Sequence, residues 1–173
     1  MTAVHPDVLA LSEIDDGDAL SVATQFGYQW AYRGGQALFW NARFAAVRIE
    51  ESYLPAPPLQ TFERRGLLRV DGRCGKRELT LLTTRFASNR ARARDLRLTR
   101  SVIRETRAPS VLLFIANPSV AGSAAFRDLG FTEAESYAKD ALLIAARGCP
   151  LRPCGDRASA DGLAGQLVAL VTV

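Results

Sequence analysis

The sequence predicts an α/β fold in which two β-sheets pack face to face as a sandwich flanked by helices. Three observations predict it. Short apolar runs recur along the chain and are separated by Gly, Pro, Asn and Asp, the punctuation of strands joined by turns. One segment, 88–106, instead repeats apolar residues three and four apart, the period of a helix that buries a single face. The 173 residues, 48% of them hydrophobic, suffice for one substantial core, so 1–173 is read as a single domain.

The elements follow in order. Pro6-Asp-Val-Leu-Ala-Leu-Ser-Glu13 is an apolar run ending in an acid, a buried strand that delivers Glu13 at its C-terminal end. Asp15-Asp-Gly-Asp18 supplies turn and N-cap chemistry for a short helix near 18–26 that stops at Gly27. Tyr28 to Tyr32 alternates aromatic and polar residues, and Gly34-Gly35 turns that strand into Gln36–Trp40. The aromatic cluster Tyr28, Trp30, Tyr32, Phe39 and Trp40 is read as core packing. A strand over 45–54 is broken by Pro55, Pro57 and Pro58, which lack donors and suit an exposed connection. The runs 66–70 and 78–84 flank Asp71-Gly-Arg-Cys-Gly75, which reads as a hairpin turn.

In the helix near 88–106, Leu96, Thr99, Val102 and Ile103 fall on one face and Arg90, Arg94, Arg97 and Arg104 on another. Pro109 ends it, and Val111–Ala116 follows as a continuous apolar strand closed by Asn117-Pro118. A short helix near 121–129 stops at Gly130, and 141–145 and 167–173 are the last strands.

Composition narrows the classes. Net charge is +4, and of the 22 basic residues only Lys76 and Lys139 are lysines, so the positive surface is guanidinium, suited to bidentate contact with phosphate or carboxylate. Eight arginines (Arg85, Arg90, Arg92, Arg94, Arg97, Arg100, Arg104, Arg107) face only Asp95 and Glu105 in the same stretch. Arg90, Arg94, Arg97 and Arg104 are therefore candidate phosphate or nucleic-acid contacts, although a charged helix face is ordinarily a solvated one and nucleic acid is not the favoured partner. Three cysteines, Cys74, Cys149 and Cys154, show neither disulfide-framework nor zinc-ribbon spacing, which suggests a reducing compartment and incidental thiols. No run is long enough to span a membrane and no signal peptide is evident, so a cytoplasmic location is expected.

Taken in order, these segments resemble the endonuclease/exonuclease/phosphatase superfamily, the sandwich shared by deoxyribonucleases, abasic-site endonucleases and inositol or sphingolipid phosphatases. The opening strand is similar to the family's "PDVLALQE", whose glutamate holds Mg²⁺, and 78–86 to the strand that ends in "THL". Arg92–Leu98 resembles the helix after it, Val111–Asn117 falls where "VLLGDFN" belongs, Phe131-Thr-Glu133 is similar to "lGftDa", and Ala160-Asp-Gly162 falls where "SDH" belongs. The resemblance implies a Mg²⁺-assisted phosphoester hydrolase in which a histidine and an acid activate water.

The departures fall on the residues that would do that chemistry. Arg85 stands in place of the "THL" histidine, Phe114-Ile115 in place of the Gly-Asp of "GDFN", and Gly162 in place of the last histidine. The one histidine, His5, precedes every matched strand, and the family's opening strand has no counterpart before Pro6. Glu13, Asn117 and Asp161 alone keep their types, and with Arg85 they are the remnant site candidates; Glu13 is a weak Mg²⁺ ligand candidate. No cofactor is required by this reading, Mg²⁺ being the one the resemblance allows.

The expected role is a catalytically degraded member acting as a binding or interaction module. The alternatives are a Mg²⁺-dependent phosphodiesterase, nuclease or phosphatase with a rearranged site, and a structural subunit that completes its sheet with a partner chain. On the last view the strand near 8–13 is a sheet edge, either paired with a second copy, which would make the protein a homo-oligomer, or covered by a loop.

Overall fold

The computed structural model describes residues 6–54, 65–87, 91–116, 122–137, 142–150 and 167–171. The first run becomes β1 (Val8–Ser12), and Asp15 begins α1 (Asp16–Phe26) by accepting the Asp18 N–H at 2.7 Å. Gly27 ends that helix at φ 69°, the left-handed conformation of a C-terminal glycine. A hairpin of β2 (Gln29–Arg33) and β3 (Gln36–Trp40) follows, then β4 (Phe44–Leu54), β5 (Arg65–Cys74) and β6 (Arg77–Arg85). The chain continues with α2 (Arg92–Glu105), β7 (Ser110–Ala116), a 3-10 helix (Gly122–Leu129), β8 (Glu133–Tyr137), β9 (Leu142–Arg147) and β10 (Leu167–Val171).

The strands form two sheets, in the orders β10-β1-β3-β2 and β4-β5-β6-β7-β9-β8. All pairs are antiparallel except β6 and β7, whose parallel register needs a crossover, supplied by α2 on the outer face. The predicted two-sheet sandwich, with strands 78–84 and 111–116 in one sheet and the arginine-bearing helix outside it, is therefore observed. Alternation along the strands builds its layers. Val8, Leu38, Trp40, Leu81, Leu112 and Phe114 fill the space between the sheets, while Leu82, Leu113, Ile115 and Leu143 face Ile103 of α2 and Phe126 of the 3-10 helix. On the other side Leu9, Leu11 and Phe39 pack under Val22 and Ala23 of α1. Trp40 is 2% exposed and Trp30 stacks on Phe39, so the aromatic cluster packs largely as expected.

Two expectations are corrected, and one strand emerges that the sequence reading did not assign. The strand near 8–13 is not a sheet edge: β1 pairs with β3 on one side and with β10 on the other, Leu9 lying between Phe39 and Leu170. The hydrogen-bonding groups that were to recruit a second copy are taken up by β10. The hairpin turn is Gly75-Lys76 rather than 71–75, and Asp71-Gly72 continues β5. Gly72 belongs in the strand because a Cβ there would lie 2.5 Å from both the Phe44 ring and the Ala45 carbonyl; the glycine lets β4 close over it. Finally, β8 arises from Glu-Ala-Glu-Ser-Tyr, which carries no apolar alternation and pairs only with β9, as an edge strand can.

The helix near 88–106 buries Thr99 and Ile103, with Leu96 and Val102 partly buried, as its period requires. Arg100 ties it to the 3-10 helix, with Nη1 donating to Asp128 Oδ1 at 2.9 Å and Nη2 to Oδ2 at 2.5 Å. The Arg100 guanidinium holds the Asp128 carboxyl below its ordinary value. A carboxyl with a depressed folded-state pKa contributes stability above its unfolded value and loses it as pH falls through the folded one. The Asp128 carboxyl resonance should thus titrate below the ordinary carboxylate range and move up to it in Arg100→Met; an unchanged midpoint would contradict the pairing.

Candidate functional site

The C-terminal ends of β1 and β6 meet at one rim of the sandwich, and the rim is where Glu13 and Arg85 are delivered. Glu13 is the sole non-glycine residue at positive φ, 64°, among those described. Left-handed backbone costs an L-residue roughly 1–2 kcal/mol, and here it is held by the Glu13 N–H donating to Gly35 O at 2.8 Å. Arg85 lies on the inward row of β6 with Leu79 and Leu81, so where the sheet ends its side chain leaves the core at the mouth between the layers. Arg85 Nη2 and Glu13 Oε1 are 2.7 Å apart, with side chains 29% and 41% exposed. Two candidates predicted from segments far apart in sequence thus form one ion pair across the two sheets.

Asn117 and Asp161 lie outside the described residues, as do Arg90, His5, Gly162 and Cys154. The residue before Asn117, Ala116, is the register partner of Arg85, and its carbonyl accepts the Phe86 N–H at 3.0 Å. Ile115, where the resemblance calls for an aspartate, is fully buried in the apolar layer under α2 and the 3-10 helix. Of the arginine face, Arg97 and Arg104 are exposed, whereas Arg94 is half-buried with its Nε enclosed. Two further arginines of the stretch are engaged internally: Arg100 with Asp128, and Arg92, whose Nε donates to Ala87 O at 2.9 Å.

Behind the rim sits a pair not anticipated from sequence. Arg65 and Asp95 are 1% and 0% exposed and form a buried ion pair, Arg65 Nη1 donating to Asp95 Oδ2. The same oxygen accepts the Ala87 N–H at 2.9 Å, which fixes the chain two residues past Arg85. The available signal was periodicity: Asp95 lies one turn from Thr99 on the buried face of α2, so the helix that hides Thr99 hides Asp95 too. Beside this pair the β2–β3 turn touches β5, with Gly66 N–H donating to Gly34 O at 3.3 Å. Below Glu13, the Gln36 amide donates to Ser12 Oγ at 2.8 Å, and its buried Oε1 has no hydrogen-bond partner.

The resemblance implies a divalent cation, and the geometry tests the fit. The Glu13 carboxylate is already neutralised by a guanidinium, and among the described residues no three His, Cys, Asp or Glu side chains are grouped to share a metal ion. Among the described residues, the candidate metal ligand Glu13 is thus already engaged by a guanidinium. A groove of about 580 Å³ lies elsewhere, on the outer face of β4, β5 and β6 near the C-terminal end of α2. Its charges largely satisfy one another: Glu50 pairs with Arg48 and Arg69, and Arg69 with Asp71 at 2.9 Å. It is a solvated charged surface, remote from the rim.

No protein-family model matches the sequence, and no curated protein matches it. Solved structures do. D. rerio TDP2, complexed with a single strand DNA product, is similar over 97% of this chain and 86% of its own, with 14% identity and a TM-score of 0.61. The human Nocturnin catalytic domain, solved with a bound sulfate anion, is similar over 96% and 81%, with 14% identity and a TM-score of 0.64. An endonuclease/exonuclease/phosphatase family protein from Bacteroides thetaiotaomicron is similar over 95% and 79%, with 12% identity and a TM-score of 0.65. This chain therefore has the endonuclease/exonuclease/phosphatase fold. Among the described residues, no helix is long and apolar enough to cross a membrane.

Proposed function

We propose that this protein is a non-hydrolytic binding module built on the endonuclease/exonuclease/phosphatase fold, with its ligand site at the rim that carries Glu13 and Arg85. One observation carries the reading: the carboxylate that would hold the metal is bound at 2.7 Å to an arginine that stands where a histidine would be. A guanidinium stays protonated at any physiological pH and cannot accept a proton from water. A general base typically supplies about 100- to 10,000-fold of rate, and Ile115 in its apolar layer offers no acid to orient one. The similar structures with a sulfate or a DNA product support an anionic ligand class. Exposed Arg97 and Arg104 lie on α2 and are secondary contact candidates.

The competing reading is a Mg²⁺-dependent phosphodiesterase or phosphatase rearranged around Glu13, Arg85, Asn117 and Asp161, favoured by the meeting of Glu13 with Arg85 and by Ala116 beside it. Purified protein incubated with labelled single- and double-stranded DNA, RNA and phosphomonoesters, with Mg²⁺ or Mn²⁺, should release no product above the uncatalysed background. Turnover lost in Glu13→Gln would establish the competing reading instead.

A further inference from the structure

α2 carries the chain from the rim, where β6 ends at Arg85, to the opposite end of the sandwich, where β7 begins at Ser110. Its buried face holds Asp95, Thr99 and Ile103, so the residues half a turn round look outward along the flank. Helix positions seven apart agree in direction to within about 20°. Arg97 and Arg104 therefore lie in one outward row about 10.5 Å apart, with Ser101 between them, and all three are exposed. Beside that row, on the 3-10 helix, Arg127 is exposed as well.

The guanidiniums of this face are left without counter-charges, which is not the habit of the molecule. Arg43, Arg48 and Arg73 are 64%, 65% and 63% exposed, yet they face Asp7, Glu50 and Glu78 respectively. On the helix layer Asp128 is taken by Arg100, with Arg104 reaching it only at longer range, and Glu105 accepts the Ser101 hydroxyl. Among the described residues, Arg97 and Arg127 have neither an ion pair nor a side-chain hydrogen bond. Like charges gathered on one face repel each other and raise its potential, a cost that an anionic partner offsets.

We propose that the outward face of α2 and the 3-10 helix is a docking surface for the phosphate backbone of duplex nucleic acid, bound without regard to sequence. Guanidiniums and a hydroxyl in one row are the groups that contact phosphates and fix the orientation of a duplex. Two alternatives fit less well. Leu98, 37% exposed, is the one large apolar side chain exposed on this face among the described residues, too little to enter a lipid interface. No aromatic ring is exposed there among them, so unpaired bases find no stacking platform and a duplex is favoured over a single strand. The surface runs along the flank away from the rim and does not depend on what the rim binds.

The test is fluorescence anisotropy of the full chain with a labelled duplex of mixed sequence, in EDTA, over a series of salt concentrations. Binding is expected at low ionic strength and should weaken with a log–log salt slope of about −2.7, for three phosphate contacts at about −0.9 each. Arg97→Gln and Arg104→Gln should each flatten the slope by about 0.9, and the double variant should lose about tenfold or more in affinity. Arg127→Gln should flatten it likewise, and it serves should an α2 variant fail to fold. Arg48→Gln/Arg73→Gln, which removes the same net charge from the other outer face, should leave both affinity and slope unchanged. No duplex binding by the wild type, or an equal loss in Arg48→Gln/Arg73→Gln, would overturn the proposal. Tighter binding of a single strand or of phosphatidylserine vesicles than of the duplex would overturn it too. Duplex binding lost in Arg85→Met but kept in the α2 variants would place the duplex at the rim instead and sink this surface.

Discussion

Replacing Asp95 with Ala should destabilise the protein by about 3–5 kcal/mol, the cost of stranding one charge of a buried ion pair. Arg65 and Asp95 are both essentially inaccessible to water, and the carboxylate also accepts the Ala87 N–H, so truncation removes the guanidinium's buried counter-charge and the backbone donor's acceptor at once. Arg65→Met should cost a similar amount for the reciprocal reason. The double variant Arg65→Met/Asp95→Leu should recover most of the loss, since an apolar pair of similar volume escapes the desolvation that the ions carry. Chemical denaturation of the four proteins gives the cycle. Additive single losses in the double variant would show that the two side chains do not act as a pair.

Replacing Gly66 with Ala should cost about 3 kcal/mol or more, the upper end of overpacking penalties. A Cβ at that position would lie 1.8 Å from Arg33 O and 2.5 Å from Arg33 C, so backbone would have to move away from backbone. The contact joins the β2–β3 turn of one sheet to the start of β5 in the other, beside the rim. Forcing it open should therefore lower the denaturation midpoint. Gly75→Ala is the control: it sits at φ 60° with nothing near its Cβ direction, and should show only the cost of left-handed backbone, roughly 1–2 kcal/mol. Equal losses at the two glycines would contradict the inter-sheet crowding.

Much of this architecture is legible in the sequence because its signals are local. The apolar run before Glu13, the Asp15 cap, Gly34-Gly35, and the change of period at α2 each specify an element without reference to the rest. Where the reading failed, the deciding contact was distant. Gly72 reads as a turn residue until Phe44 is seen occupying the space above it, and β8 is a polar pentapeptide made a strand only by β9. The pairing of β1 with β10 joins residues near opposite ends of the chain, so no local pattern could exclude the open edge expected there. The site divides in the same way. Glu13 and Arg85 were separately identifiable from motif positions, but that Arg85 binds Glu13 depends on two sheets meeting at one rim. Arg65 and Asp95 escaped notice because a charged residue at helix spacing is ordinarily solvated, and its burial here depends on a partner 30 residues away.

Whether the rim holds a ligand without hydrolysing it is decided by single-turnover kinetics. With protein in large excess over a labelled single-stranded oligonucleotide, in Mn²⁺ or Mg²⁺, even a slow catalyst converts its bound substrate, and product release cannot conceal the chemical step. No cleaved product above the protein-free control is expected for wild type, Glu13→Gln and Arg85→Gln alike. Metal-dependent cleavage by the wild type that is lost in Glu13→Gln would contradict it.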